Sequence, residues 1–367
     1  MGLARFISLI NVIKIALNFH QPNKCYKRKK PCSSLTNINK IDPQSRWEKY
    51  IMAHYNQNIT RRESIKKLLK LSGSLALSGS ALLSIHNPRP VVAANTTEPF
   101  LVDALGKTPG YAIRDLVQKT FDAVGGIQTF IDRGDVVAVK PNISWARTPN
   151  LSATTHPEVL QAVIELCQEA GAKKVNIVDN TIHGARKCFA ITGANAVAKK
   201  TGAKLVAPRS SLMRDMRIHG HRLDIWPVFT PVMEADKLIN LPVAKVHGLS
   251  ELTLGMKNWI GAVGGRRYAL HQDIHQTIVD LAQFFQPTLT LIDAIRVMIN
   301  NGPSGGSLAD VALMNRLILS NDPVAADARA AGIFGYAPDD IGFIRLGKKW
   351  QLGLYDAEVP QQHEVTV

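Results

Sequence analysis

The sequence has 367 residues, 44 Lys+Arg against 29 Asp+Glu, a formal net charge of +15 and 46% hydrophobic residues. The charge is uneven: residues 1–94 hold 16 of the basic and 3 of the acidic residues, which leaves the remainder with 28 and 26, a net of +2. A nearly neutral globular part lacks the broad basic face that nucleic-acid binding needs, so no nucleic acid is expected as a partner.

Met1 to Phe19 is apolar but broken by Arg5 and Lys14, and Lys27-Arg28-Lys29-Lys30 is a solvated charge run. Met52 stands nine residues before Arg61 and is a natural start for an export leader. Residues 1–51 therefore read as a spurious or disordered extension, with a membrane-facing basic extension as the other reading. Thr60-Arg61-Arg62-Glu63-Ser64-Ile65-Lys66-Lys67 then precedes a weakly apolar Gly/Ser/Ala-rich run, Leu68 to Ile85, and a small-residue site closes the segment at Val91-Val92-Ala93-Ala94. Charged, apolar and small residues in that order make residues 52–94 a signal peptide, and the paired arginines place it in the twin-arginine class. A spanning helix would need about 20 mostly apolar residues, and Lys70, Gly73 and Gly79 spoil this one. The expectation is export of the folded protein by the twin-arginine translocase to a periplasmic or other extracytoplasmic space.

Residues 95–134 read as an N-terminal segment, 135–350 as one α/β domain and 351–367 as a C-terminal tail. Within the domain, short apolar runs alternate with helical patterns, the mark of βαβ construction. Val136 to Val139 is a strand buried on both faces, ending at Lys140-Pro141-Asn142. Pro157 to Ala170 is a helix with proline at its first position. Val175 to Val178 is a strand ending at Asp179-Asn180, and Ala194 to Lys200 a helix before the strand Lys204 to Val206. Leu223 to Phe229 is an edge strand or hairpin, given Pro227. Lys237 to Leu241 is a further strand. Thr253 to Val263 and His271 to Phe285 are predicted as helices joined by Gly264-Gly265-Arg266-Arg267. Thr288 to Ile292 is a strand ending at Asp293, Ala312 to Leu319 a strand or helix, and Pro323 to Gly332 a helix. The predicted fold class is α/β, a mixed, mostly parallel sheet with helices on both faces.

Cys167 and Cys188 are the only thiols after residue 94. Two are too few for a disulfide framework or for a four-thiolate cluster, so an iron–sulfur cofactor is not expected and both read as ordinary buried thiols. In open parallel sheets ligands bind outside the carboxyl ends of the strands. Those ends carry Lys140, Asn142, Asp179, Lys245, His247 and Asp293. Lys257 and Asn258 lie in an apolar stretch, where a lysine is costly unless paired or solvated in a cleft. The expected cleft joins Lys245, His247, Lys257 and Asn258 as reactive groups with Lys140, Asn142, Asp179, Thr253, Arg266 and Asp327 as ligand-binding groups. Snorkelling surface lysines are the competing reading. His271 and His275, one turn apart on a predicted helix, have zinc-helix spacing and with Asp293 form the candidate set for a divalent metal. The glutamate of a zinc protease is missing, as are a Ser-His-Asp elbow and a dinucleotide fingerprint. Asp322 precedes Pro323 and reads as a helix cap, while for His156, before Pro157, a capping or structural role and a ligand role both stand.

Lys245-Val246-His247 followed by Leu252-Thr253-Leu254-Gly255-Met256-Lys257-Asn258-Trp259-Ile260-Gly261 resembles the domain of unknown function 362 family. Ile239-Asn240-Leu241-Pro242, Lys140-Pro141-Asn142, Thr154-Thr155-His156-Pro157, Asp293 with Gly302-Pro303, and Asn321 through Asp327 agree with it, so the resemblance covers roughly residues 135 to 335. It implies a mixed α/β domain without an established activity. Many members carry an appended ferredoxin-like module, whose cysteine run is absent here. Three functions remain: an enzyme acting on a small anionic ligand, a non-catalytic binding protein using the same cleft, and an electron-transfer accessory that borrows the cluster of a redox partner protein.

Overall fold

The structure is a computed structural model that describes residues 98–367. The extension over 1–51 and the leader over 52–94 lie outside the described residues. Among the described residues no helix is long and apolar enough to cross a membrane.

The domain is built on one twisted sheet. Its parallel part comprises β2 (Val136–Pro141), β3 (Lys174–Val178), β4 (Lys204–Val206), β7 (Lys237–Leu241) and β10 (Leu289–Met298), in the order β10-β7-β2-β3-β4. Beyond β10 the sheet continues through the antiparallel β11 (Val311–Ser320) to β1 (Phe100–Leu105) and β12 (Gln361–Thr366). The strands at the two ends of the described chain thus pair with each other, Phe100 opposite Gln361. A separate hairpin, β5 (Met213–Arg217) with β6 (Ile225–Phe229), accounts for the segment containing Pro227.

Both faces are covered, as the near-continuous apolar runs of the parallel strands require. Val137, Val139, Ile239, Leu241 and Ile295 pack on one side against α1 (Ile113–Asp122), α2 (Pro157–Glu169), α3 (Ala185–Ile191) and α4 (Ala194–Thr201). Ala138, Leu238, Ile292 and Ala294 pack on the other against α5 (Ile274–Phe285), α6 (Pro323–Gly332) and α7 (Gly342–Lys349). The fold class is the expected one. Asp322 caps α6 by accepting from the amides of Val324 and Ala325, and His156 caps α2 by accepting from the amide of Glu158. Cys167 and Cys188 are free and buried.

Three elements differ from expectation. The stretch Thr253 to Val263 is not an α-helix: Thr253 ends β9 (Glu251–Thr253), and a 3-10 helix spans Met256–Ala262. Six of those seven residues are buried, so the stretch carries no period from which to read a helix type. Asp327 of α6 instead sets its start by accepting from the amides of Gly255 and Met256, at 2.6 and 2.9 Å. The predicted helix His271 to Phe285 is broken at Asp273, whose φ of −141° is non-helical. His271 therefore closes a 3-10 helix, Arg267–His271, and His275 lies in the first turn of α5. Finally, β10 runs on past Asp293 to Met298 through a bulge between Ala294 and Arg296. Its far half pairs with β8 (Val243–His247), a strand that the sequence pattern does not mark as one. Pro242, without an N–H to offer a ladder, marks the step from β7 to β8 along the same neighbour.

Candidate functional site

The parallel strands deliver their carboxyl ends to one edge of the sheet, and a polar network begins there. Lys140 is register partner of Asn240, with Asp179 just past the end of β3. The Lys140 ammonium donates to Asp179 Oδ1 at 2.7 Å, to the Pro141 carbonyl at 2.9 Å and to Asn258 Oδ1 at 3.1 Å. Both side chains of this ion pair are 0% exposed. Asp179 Oδ2 accepts from the amide of Ile143 at 2.9 Å. Asn258 Nδ2 donates to the Lys140 carbonyl and to Asn240 Oδ1. Gly261 lets the 3-10 helix close over the pair, since a Cβ there would overlap Asp179 Oδ1 and Lys140 Nζ. An ammonium has three donors, and Lys140 spends all of them inside the protein. Burial holds its pKa below the ordinary lysine range, although Asp179 pulls it up. Lys140, Asp179, Asn240 and Asn258 form a closed framework.

The other two lysines are placed differently. In the β8–β9 hairpin Lys245 lies opposite Thr253 and His247 opposite Glu251. Ala244 and Leu252 of the same hairpin belong to the core, so alternation turns Lys245, His247 and Thr253 to the opposite face. Lys245, 1% exposed, donates once, to the Ala153 carbonyl. Lys257, 8% exposed, has no hydrogen bond or ion pair among the described residues. Burial lowers both ammonium groups from 10.5 to about 7, and the charge of Lys257 adds to the effect on Lys245. His247 is depressed to about 3, first by burial, then by Lys257, His271 and Lys245. Its Nδ1 accepts from the amide of Leu249 at 3.1 Å, so this neutral ring carries its proton on Nε2. The ring of His271 lies nearly parallel, with centroids 6.2 Å apart. Asn142 Oδ1, Thr154 Oγ1 and Thr253 Oγ1, in the segments flanking these lysines, are buried without partners.

Lys245 feels the charges of Lys257, Asp179 and Lys140, and His247 those of Lys257 and Lys245, so the structure gathers these groups with Asn258 and leaves several other candidates elsewhere. Asp293 follows Ile292 on β10 and so points away from Lys140, to the face that Lys245 also takes, where it is occupied by the amides of His156 and Ile295. Burial raises its carboxyl. Asn142 is anchored through its backbone by the Thr155 hydroxyl. Asp327 is consumed by the two amides that start the 3-10 helix, and burial raises it to about 7. Arg266 is exposed. Its neighbour Arg267 faces the site edge instead, donating to the carbonyls of Asn180 and Thr181. The metal set does not assemble: His271 faces His247, His275 approaches Glu251 and Phe343, and Asp293 is taken by the amides of His156 and Ile295. Among the described residues no group of three or more His, Cys, Asp or Glu could hold a metal ion. Sequence reasoning does not single out Asn240 or Gly261 as site residues; the asparagine inside the apolar run of β7 is the available signal. The cleft between Pro287, Asn321 and Lys348 lies at the opposite edge of the sheet and is lined by none of these groups.

A family model described as a domain of unknown function (DUF362) matches residues 137–332, which include every residue of this site. Thylakoid-associated protein sll1697 of Synechocystis is 30% identical over 203 residues, 53% of this chain and 62% of that protein, so the chain spans under two thirds of this relative. The lactate racemase apoprotein of Thermoanaerobacterium thermosaccharolyticum aligns with 64% of this chain and 56% of its own, at 15% identity and a TM-score of 0.40. That likeness is too distant to bear on activity.

Proposed function

The chain belongs to the domain of unknown function 362 family, and from its site we propose that it binds or converts a small anionic ligand at Lys245 and Lys257. One observation carries the reading: two adjacent buried lysines keep most of their donors unspent, while the nearby carboxylate, Asp179, is committed to Lys140. Burying cations without partners is costly, and an anion would turn that cost into charge-assisted hydrogen bonds. Conversion rather than storage is favoured by His247, a neutral imidazole with a free Nε2–H beside two cations.

The test is a thermal-shift titration with phosphate, pyrophosphate, oxalate and pyruvate. A ligand that binds only the folded state raises the melting temperature with its concentration. At least one of these anions should do so, and the effect should vanish in Lys257→Met while surviving in Arg266→Ala. Four flat titrations would remove the anion site.

We also infer export by the twin-arginine translocase, on the strength of Arg61-Arg62 before a weakly apolar run. The relative in Synechocystis is thylakoid-associated by name, a membrane setting consistent with an exported protein. Replacing both arginines with lysine should hold the precursor in the cytoplasm; normal export of that variant would end the assignment.

A further inference from the structure

We propose that Lys257 is a nucleophile that forms an imine with the carbonyl carbon of a small anionic aldehyde or ketone, a proposal that rests on the anion site above. The three lysines of the site differ in how their donors are used. Lys140 is held as a cation by Asp179 at 2.7 Å, with its other two donors also taken. Lys245 is fixed by the Ala153 carbonyl. Lys257 has neither a carboxylate nor a carbonyl on its amine, and its charge is the largest coulombic influence on Lys245. It is flanked in the chain by the fully buried Met256 and the nearly buried Asn258. No group among the described residues holds this amine in its ammonium form, and desolvation of this kind is one way in which amine nucleophiles in enzymes are activated.

The neighbours supply the other parts of such a reaction. Lys245 offers a cation for the anionic group of the substrate. His247, its Nδ1 engaged by the Leu249 amide, presents a neutral Nε2–H that can donate to the carbonyl oxygen. The neutral Lys257 amine attacks the carbonyl carbon, forming the C–N bond as the C=O π pair moves to oxygen. A proton passes from nitrogen to that oxygen and gives a carbinolamine. A second proton, from the Lys245 ammonium, lets the hydroxyl leave as water, so that amine, carbonyl and one proton become a protonated imine and water. Burial keeps Lys257 near 7, so much of it is already neutral at neutral pH.

The experiment incubates the protein with pyruvate, glyoxylate or pyridoxal 5′-phosphate in the presence of cyanoborohydride, which reduces an imine to a stable secondary amine. Intact mass and peptide mapping then locate the adduct. One adduct per chain is expected, on the peptide containing Lys257, formed fastest near pH 7, where Lys257 is partly neutral and Lys245 partly protonated. Lys257→Arg should form none, and circular dichroism would verify its fold. Oxalate, an anion without a reactive carbonyl, separates the two ideas. If none of the three probes gives an adduct on Lys257 while oxalate still raises the melting temperature, the imine is overturned and the anion site stands. If oxalate has no effect either, both fall. Labelling spread over surface lysines and unchanged in Lys257→Arg also overturns the proposal.

Discussion

Replacing Lys257 by methionine should make the folded protein more stable, an unusual outcome for a substitution inside a core. Methionine keeps the length and flexibility of the stem and removes the buried ammonium. Lys257 titrates at about 7 in place of 10.5, and each tenfold change in acidity is about 1.4 kcal/mol. The desolvation cost at neutral pH is thus on the order of 4 kcal/mol, and imperfect packing of the thioether would return about 1 kcal/mol of it. A net gain of about 2–3 kcal/mol is expected at pH 7. Proton counting sets the sign of the pH dependence. Between about 7 and 10.5 the unfolded chain keeps the lysine protons that the folded chain has released, so wild-type stability rises with pH across that window. Lys245, also near 7 and depressed in part by the Lys257 charge, contributes in the same direction, so Lys257→Met should lose a large part of the rise, by the same linkage. Urea unfolding followed by circular dichroism at pH 7, 8.5 and 10 measures both quantities. A variant less stable than wild type at pH 7, or one with the full wild-type rise, would show that Lys257 is solvated or paired and that the reading of the site is mistaken.

Lys140→Met should cost about 3–5 kcal/mol, because it strands Asp179 in the core; adding Asp179→Asn should recover part of the loss in a urea-unfolding double-mutant cycle. Gly261→Ala should destabilise by about 1–3 kcal/mol through overpacking against the same pair, and an unchanged midpoint would mean that the 3-10 helix does not sit this close. Asp327 keeps its proton up to about 7 when folded and releases it near 3.8 when unfolded, so its contribution to stability falls as pH rises between those values. Asp327→Asn should abolish that decline and cost about 1–3 kcal/mol for the amide acceptor it loses, both read from unfolding curves at pH 4, 5.5 and 7.

The parallel strands are legible because Val136 to Val139, Val175 to Val178 and Lys237 to Leu241 are short apolar runs that only a sheet covered on both faces can bury. The same property hides the site's sidedness. When both faces are apolar, the pattern does not mark which way a polar residue points, so the sequence sends Lys140 and Asp293 to one cleft although alternation turns them to opposite faces. The 3-10 helix over Met256–Ala262 is illegible for a related reason, being buried nearly all round. A polar residue embedded in an apolar run still announces itself: Lys140, Lys257 and Asn258 stand out in this way, and Asn240 does so equally. What the sequence does not separate is framework from function among them, since that distinction lies in how many donors each ammonium has left. Lys140 has none left after Asp179, Asn258 and Pro141. Lys257 has all three, and an ammonium buried on those terms is costly in any fold that does not use it.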